Sequence, residues 1–272
     1  MRTIPGLVTV IQARTGSSRL PGKTLFPLAS STVLARMVER VISARLSGRV
    51  VVATTVLDED DALAEHCTRL GFPVFRGHPT DLLSRHLSAA RAFGARFVAK
   101  IPSDCPLIDP DAVDAVLGFF LDTLGEYDYV SNLHPATWPD GNDVEAMTVG
   151  ALSVAAVEAE RDFEREHTTP FLWERPERFR IGNVELPDGR DLSMTHRFVL
   201  DYPEDYAFVS RVYDELYEER PRFSAEDILA LLARKPGIAR LNEKWAGVNW
   251  YRNHLGELRT VMPGATRVVE GT

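Results

Sequence analysis

Over its first 132 residues the chain alternates short apolar runs with amphipathic segments, and that alternation is the strongest constraint on its fold. Residues 7–11 (LVTVI) form an apolar run short enough for a buried strand. Residues 33–46 place Leu34, Met37, Val38, Val41 and Ile42 on one stripe at helical spacing. Residues 49–54 (RVVVAT) return as a strand, and Asp58 reads as the cap of the next helix, with Glu59, Asp60 and Asp61 complementing its first-turn dipole. Capping accounts for these four acids more economically than a metal site. A short strand at 73–75, a helix over 81–93, a strand over 96–101, a helix over 110–121 and a strand over 127–132 continue the series. Such an order implies an α/β fold, with a mostly parallel sheet, right-handed crossovers and helices on both faces.

Where that fold would bind a ligand is also legible. Open α/β sheets bind at the carboxyl ends of their strands, and the first strand runs into a polar loop holding Arg14, Gly16, Ser17, Ser18, Arg19, Pro21, Gly22 and Lys23. Its two glycines permit a tight turn and close backbone approach. Three cations within ten residues, Arg forks and a Lys point charge among exposed N–H groups, suit a polyphosphate. The loop matches neither GxxxxGK[ST] nor GxGxxG. It stands out because the chain is otherwise acidic: 31 basic against 39 acidic residues give −8 over 272 residues. That balance argues against nucleic acid as a partner. Cys67 and Cys105 fit neither a disulfide framework nor a zinc site. No segment approaches the ~20 apolar residues of a membrane span, and the N-terminal run is too short for a signal peptide. A cytoplasmic protein of one domain, with no membrane partner, is therefore expected.

A second stretch, Ile101-Pro102-Ser103-Asp104-Cys105-Pro106-Leu107-Ile108-Asp109, puts Asp104 just past the end of a central strand. Mg²⁺ needs only one or two carboxylates plus substrate phosphates; a turn cap before Pro106 is the other reading of Asp104. Asp109 reads as the N-cap of the helix starting at Pro110. The second half departs from simple alternation. A Pro- and Gly-rich loop spans 134–142, and a strand over 143–149 carries Asp143, Glu145 and Met147 on one face. Thr169 and Pro170 start a helix that Pro176 stops, which leaves Arg165 and His167 without a local role. Strands at 179–184 and 197–200 and helices at 206–217 and 224–232 follow. Asp201 and Pro203 read locally as a cap and first helical residue. The last forty residues, with Trp245, Trp250 and Tyr251, carry no motif.

The segment from Arg14 to Lys23, RTGSSRLPGK, resembles the nucleotide-binding signature of the cytidylyltransferases. The nearest branch is the SpsF-like group of spore coat polysaccharide biosynthesis, related to enzymes that activate sialic acid and 3-deoxy-octulosonate with CTP. The resemblance implies a Rossmann-like, GT-A-type nucleotidyltransferase fold, with a nucleotide-binding half at 1–132, an inserted acceptor and dimerisation region at 133–200, and C-terminal helices at 201–272. It implies transfer of CMP from CTP to an anionic acceptor, an acidic sugar or related phosphate or phosphonate, in surface-polysaccharide precursor synthesis. By resemblance Ile11, Gln12, Ala13, Arg14, Gly16, Ser17, Arg19, Lys23, Arg76 and Asp104 contact the nucleotide, with Arg14, Arg19, Lys23 and Asp104 catalytic. Arg76, in VFRGHPTDLL, reads equally as a solvated strand-end cation. DCPLID and Asp201-Tyr202-Pro203-Glu204-Asp205 match the family's metal segments, so Asp104 and Asp201 would hold Mg²⁺. Pro102-Ser103 and Tyr202 depart from the family's usual residues there. Asp143 and Glu145, in DGNDVE, and Arg165 and His167, in FEREHTTP, would face the acceptor, with the Arg165 fork taking its anion. A homodimer is expected through residues 143–174, anchored by Phe171, Leu172 and Trp173. The rival readings are a different NTP, a GT-A glycosyltransferase, whose usual DxD is absent at Ser103-Asp104-Cys105, and a non-catalytic nucleotide-sugar-binding protein.

Overall fold

The computed structural model describes residues 4–269. In chain order its main elements are β1 (Leu7–Gln12), β2 (Pro27–Leu28), β3 (Ser31–Thr32), α1 (Val33–Ser43), β4 (Arg49–Thr55), α2 (Asp61–Arg69), β5 (Val74–Gly77), α3 (Leu82–Ala92), β6 (Phe97–Pro102) and α4 (Pro110–Asp122). Then come β7 (Tyr129–Ser131), β8 (Glu145–Thr148), α5 (Val149–Glu158), α6 (Asp162–His167), α7 (Pro170–Trp173), β9 (Ile181–Asn183), α8 (Pro203–Leu216), α9 (Ala225–Arg234) and α10 (Pro236–Ala239). Seven strands form one sheet in the order β5-β4-β1-β6-β8-β7-β9. β1 pairs in parallel with both β4 and β6, whereas β8 enters antiparallel between β6 and β7. The chain thus builds outward from β1 through β4 to β5, then returns to β1's other side with β6. That reversal is the crevice at which open α/β sheets bind ligands.

The strands of the parallel half are buried on both faces, which is why they read as continuous apolar runs. Leu7 and Ile11 pack against α1 and α4 through Met37, Val41, Val113 and Phe120. Val8 and Val10 face α3, α5 and α7 through Leu83, Leu87, Leu152 and Leu172. Helix starts follow local side-chain chemistry. Thr32, Asp81, Asp109 and Ser224 accept from backbone N–H groups of the first turns of α1, α3, α4 and α9. Asp109 also accepts from Ala225 N at 2.6 Å, tying the starts of α4 and α9 together.

Three expectations are corrected. Asp58 caps nothing: it opens a short 3₁₀ turn whose preceding residue is Leu57. Residues 197–200 form no ladder, because Phe198 N donates to Asp140 O and Leu200 N to Asp104 O, binding two loops instead of a strand. Phe171, Leu172 and Trp173 are 2%, 0% and 4% exposed, so they belong to this chain's own core and anchor no second copy.

Candidate active site

The loop after β1 is shaped by an acid outside it. Thr15 N and Thr15 Oγ1 both donate to Asp60 Oδ1, at 2.7 and 2.8 Å, and Thr55 Oγ1 donates to the other oxygen of the same carboxylate. Burial would raise the Asp60 pKa, but these donors outweigh it and hold it below the ordinary value. Thr15 O in turn accepts from Ser17 N and Gly22 N, and Gly22 takes φ 73°, closing the loop into a turn. Asp60 is therefore the loop's anchor, a role the helix-dipole reading missed. Among the described residues the exposed Arg14 guanidinium has no hydrogen-bond or ion-pair partner. The Gln12 Oε1 at the end of β1 is buried without a donor.

At the far end of the loop four predicted residues meet. Lys23 Nζ donates to Leu200 O at 2.6 Å, Asp201 Oδ1 at 2.9 Å and Asp104 Oδ2 at 3.3 Å. Arg19 pairs with Asp201 at 2.8 Å. Asp104 follows β6 and Asp201 precedes α8, so sheet topology joins residues nearly a hundred positions apart. Burial alone would raise the Asp201 pKa; Lys23 and Arg19 reverse that and hold it well below the carboxylate range. Burial likewise opposes the Lys23 charge, yet Asp104 and Asp201 leave its pKa raised. Arg197, unremarked in the sequence, is the inner counter-ion: it bonds Asp205 at 2.9 Å, Asp140 at 3.2 Å and Val248 O at 2.8 Å. Among the described residues Asp143 pairs with no cation; burial and then the Asp104 charge push its pKa to about 6, against the more distant Lys100 charge. Gly141 lets this strand-like loop cross residues 197–200, since with φ 102° a Cβ there would lie 2.6 Å from Val199 N.

Other predicted residues lie elsewhere or are already engaged. Arg76 spends its guanidinium on Thr55 O, Leu57 O and Asp61. Arg165 donates to Asp81 at 2.6 and 2.9 Å and to Ala159 O at 2.8 Å, tying α6 to the cap of α3. Its fork is therefore not presented to an acceptor, contrary to expectation. Glu145 is buried between Lys100, its register partner across β6 and β8, and Tyr129 Oη at 2.7 Å. His167 stacks on Trp250 at 3.7 Å, and burial lowers its pKa to about 3, so it is neutral.

Asp140 and Asp143 instead edge a cavity of about 590 Å³ walled by His134, Trp138, Trp173, Trp250 and Tyr251. Its aromatic lining comes from segments more than a hundred residues apart, and no local pattern marks it. Tyr202, where the resemblance leads one to expect Thr, stacks on Trp245 at 3.7 Å and 6°. No helix of the described residues is long and apolar enough to cross a membrane.

A family model for cytidylyltransferases matches residues 8–229. The chain is 32% identical over 238 residues to the spore coat polysaccharide biosynthesis protein SpsF of Bacillus subtilis, covering 86% of this chain and 96% of that one. It is 36% identical over 115 residues to a 3-deoxy-manno-octulosonate cytidylyltransferase of Anaeromyxobacter dehalogenans, covering 41% and 46%. A solved cytidylyltransferase from Leptospira borgpetersenii superposes with a TM-score of 0.81 at 32% identity, covering 86% of this chain and 96% of that one.

Proposed function

The chain belongs to the cytidylyltransferase family and is a nucleotidyltransferase, and from that premise we propose that it transfers CMP from CTP to a hydroxyl of an acidic sugar, releasing pyrophosphate. The observation that carries this reading is the convergence of Asp104 and Asp201 on Lys23 at the carboxyl edge of β1 and β6. The reaction is an in-line attack of the acceptor oxygen on the α-phosphorus, and it needs positioning and charge neutralisation more than covalent catalysis. The 14–23 loop presents backbone N–H groups and the unpaired Arg14 to the phosphates. Arg19 and Lys23 neutralise charge gathering on the leaving pyrophosphate. The orphaned Gln12 oxygen is an acceptor for the exocyclic amine that distinguishes cytosine from uracil.

Two carboxylates that reach one ammonium are close enough to share one small cation, and all-oxygen anionic donors fit Mg²⁺ or Mn²⁺. Asp104 and Asp201 would hold that metal, which supplies further charge neutralisation to the triphosphate. Among the described residues no group of three or more His, Cys, Asp or Glu side chains is placed to hold a metal. Phosphate oxygens would therefore complete the coordination. The test is pyrophosphate release with each of the four NTPs and a panel of acidic sugars, including 3-deoxy-octulosonate and sialic acid. The expected result is release dependent on CTP, on the metal and on one acid sugar. Release with UTP equal to that with CTP, or an acceptor requirement met only by neutral sugars, overturns it.

A further inference from the structure

The aromatic cavity beside the carboxylates is closed by a part of the chain outside the family match, which ends at residue 229. Trp250, Tyr251 and Met262 form one wall, and His134, Trp138 and Trp173 face them. The wall is held in place: Arg259 N and Thr260 N donate to the buried Glu174 carboxylate at 2.7 and 2.9 Å. Arg197 holds Val248 O, so the same guanidinium that braces Asp140 and Asp205 fixes the start of the wall. The chamber is therefore linked to the Asp104–Lys23–Asp201 centre through Arg197, which bonds Asp140 at the chamber's edge at 3.2 Å and Asp201 at 3.5 Å. Its volume, about 590 Å³, lies within the range of small-molecule sites.

Its chemistry is selective. Among the described residues no Arg or Lys lines it, and the acids at its edge are Asp140, Asp143 and Asp191. An anion inserted there would be desolvated beside like charges with no counter-ion. Ring faces suit the C–H faces of a sugar. Among the described residues the Tyr251 hydroxyl and the His134 imidazole have no hydrogen-bond partner, which leaves them for the ligand. Burial keeps His134 neutral, lowering its pKa to about 4.

We propose that this chamber, closed by residues 247–265, receives the uncharged, hydroxyl- or acylamino-bearing end of the sugar acceptor, whose anionic end stays outside it. The proposal rests on the cytidylyltransferase reading and adds which part of the acceptor the enzyme selects.

Three of the four tryptophans line the chamber, so intrinsic fluorescence reports its occupancy. The full chain is titrated with methyl N-acetylglucosaminide and with methyl N-succinylglucosaminide, which carries a carboxylate on the acyl group itself, and CTP binding is measured separately by calorimetry. The neutral sugar should give a saturable change and bind at least ~10-fold more tightly than the N-succinyl sugar. Trp250→Leu and Tyr251→Phe should each weaken the neutral sugar by ~3- to 10-fold and leave CTP affinity within about 2-fold. Binding of the N-succinyl sugar as tight as the neutral sugar, no saturable change with the neutral sugar, or binding indifferent to both variants overturns the proposal. Wild-type protein that binds the neutral sugar but not CTP refutes the cytidylyltransferase reading and leaves the chamber's selectivity standing.

Discussion

Replacing Asp104 and Asp201 separately by Asn separates catalysis from folding, because the two carboxylates are held unequally. Lys23 Nζ is 3.3 Å from Asp104 but 2.9 Å from Asp201 and 2.6 Å from Leu200 O. The Asp104 side chain is 28% exposed, against 16% for Asp201. Asp104→Asn therefore removes a charge from the longest of three Lys23 contacts, and the amide oxygen still accepts. A partly solvated pair contributes about 0–1 kcal/mol, so unfolding by urea should shift by less than about 1 kcal/mol. Asp201→Asn strips one ion pair each from Lys23, Arg19 and Arg197, leaving a buried ammonium under-compensated, at a cost of about 3–5 kcal/mol. Both variants should lose at least ~10²-fold in turnover, about 2.7 kcal/mol of barrier, in pyrophosphate release at saturating CTP and Mg²⁺. The expected pattern is one stable inactive variant and one unstable inactive variant. Near-wild-type turnover of Asp104→Asn, or a larger stability loss from it than from Asp201→Asn, refutes the reasoning.

Asp60→Ala frees Thr15 N, and CTP affinity measured by calorimetry should fall by about 1–3 kcal/mol although Asp60 touches no phosphate. Arg165→Ala should lower stability by about 1–3 kcal/mol through the loss of the Asp81 pair, and leave the ratio of acceptor KM to CTP KM unchanged. Gly141→Ala places a Cβ against Val199 N and should cost at least ~2 kcal/mol in urea unfolding, with activity lost in parallel. Burial lowers the His86 pKa from 6.5 to about 3, so below pH 6.5 the unfolded chain binds the extra proton and stability falls with pH. From pH 6.5 to about 5 this one group should remove about 2 kcal/mol, and His86→Gln should flatten that part of the pH–stability curve.

The parallel half of the fold was legible because each of its elements announces itself locally. The 7–11 run, the 33–46 stripe and the Asp109-Pro110 start carry their own period or cap, and the structure places them within three residues of the expected bounds. Residues 197–200 were misread for the converse reason. RFVL has the composition of a strand, but its N–H groups are taken by Asp140 O and Asp104 O, partners that no local pattern announces. Asp60 shows the same limit from the other side. In sequence it is one of four consecutive acids before a helix, and only the register that brings the 58–61 turn under Thr15 makes it the anchor of the loop.

The candidate site divides along the same line. A polyphosphate is gripped by contiguous N–H groups and nearby cations, so one loop of ten residues carries most of that signal. An acceptor chamber is assembled from single rings contributed by distant turns, and Trp250 and Tyr251 sit in a 3₁₀ segment with no period to reveal a buried face. Tyr202 makes the dependence explicit. Read alone, it is a departure from the family's Thr at the edge of the carboxylate centre. In the structure its ring stacks on Trp245, its hydroxyl accepts from Arg252 at 3.2 Å, and Arg19 lies 5.8 Å over it. The substitution and the C-terminal segment are therefore one feature: the residues beyond 229 supply the aromatic partner that the larger side chain requires. Through Tyr202 they also touch Arg19, which pairs with Asp201. A shortened chain ending near residue 240 would thus expose the Tyr202 ring, free Arg197 from Val248 O and open the chamber, loosening the acceptor side while leaving the Asp60 anchor on Thr15 intact.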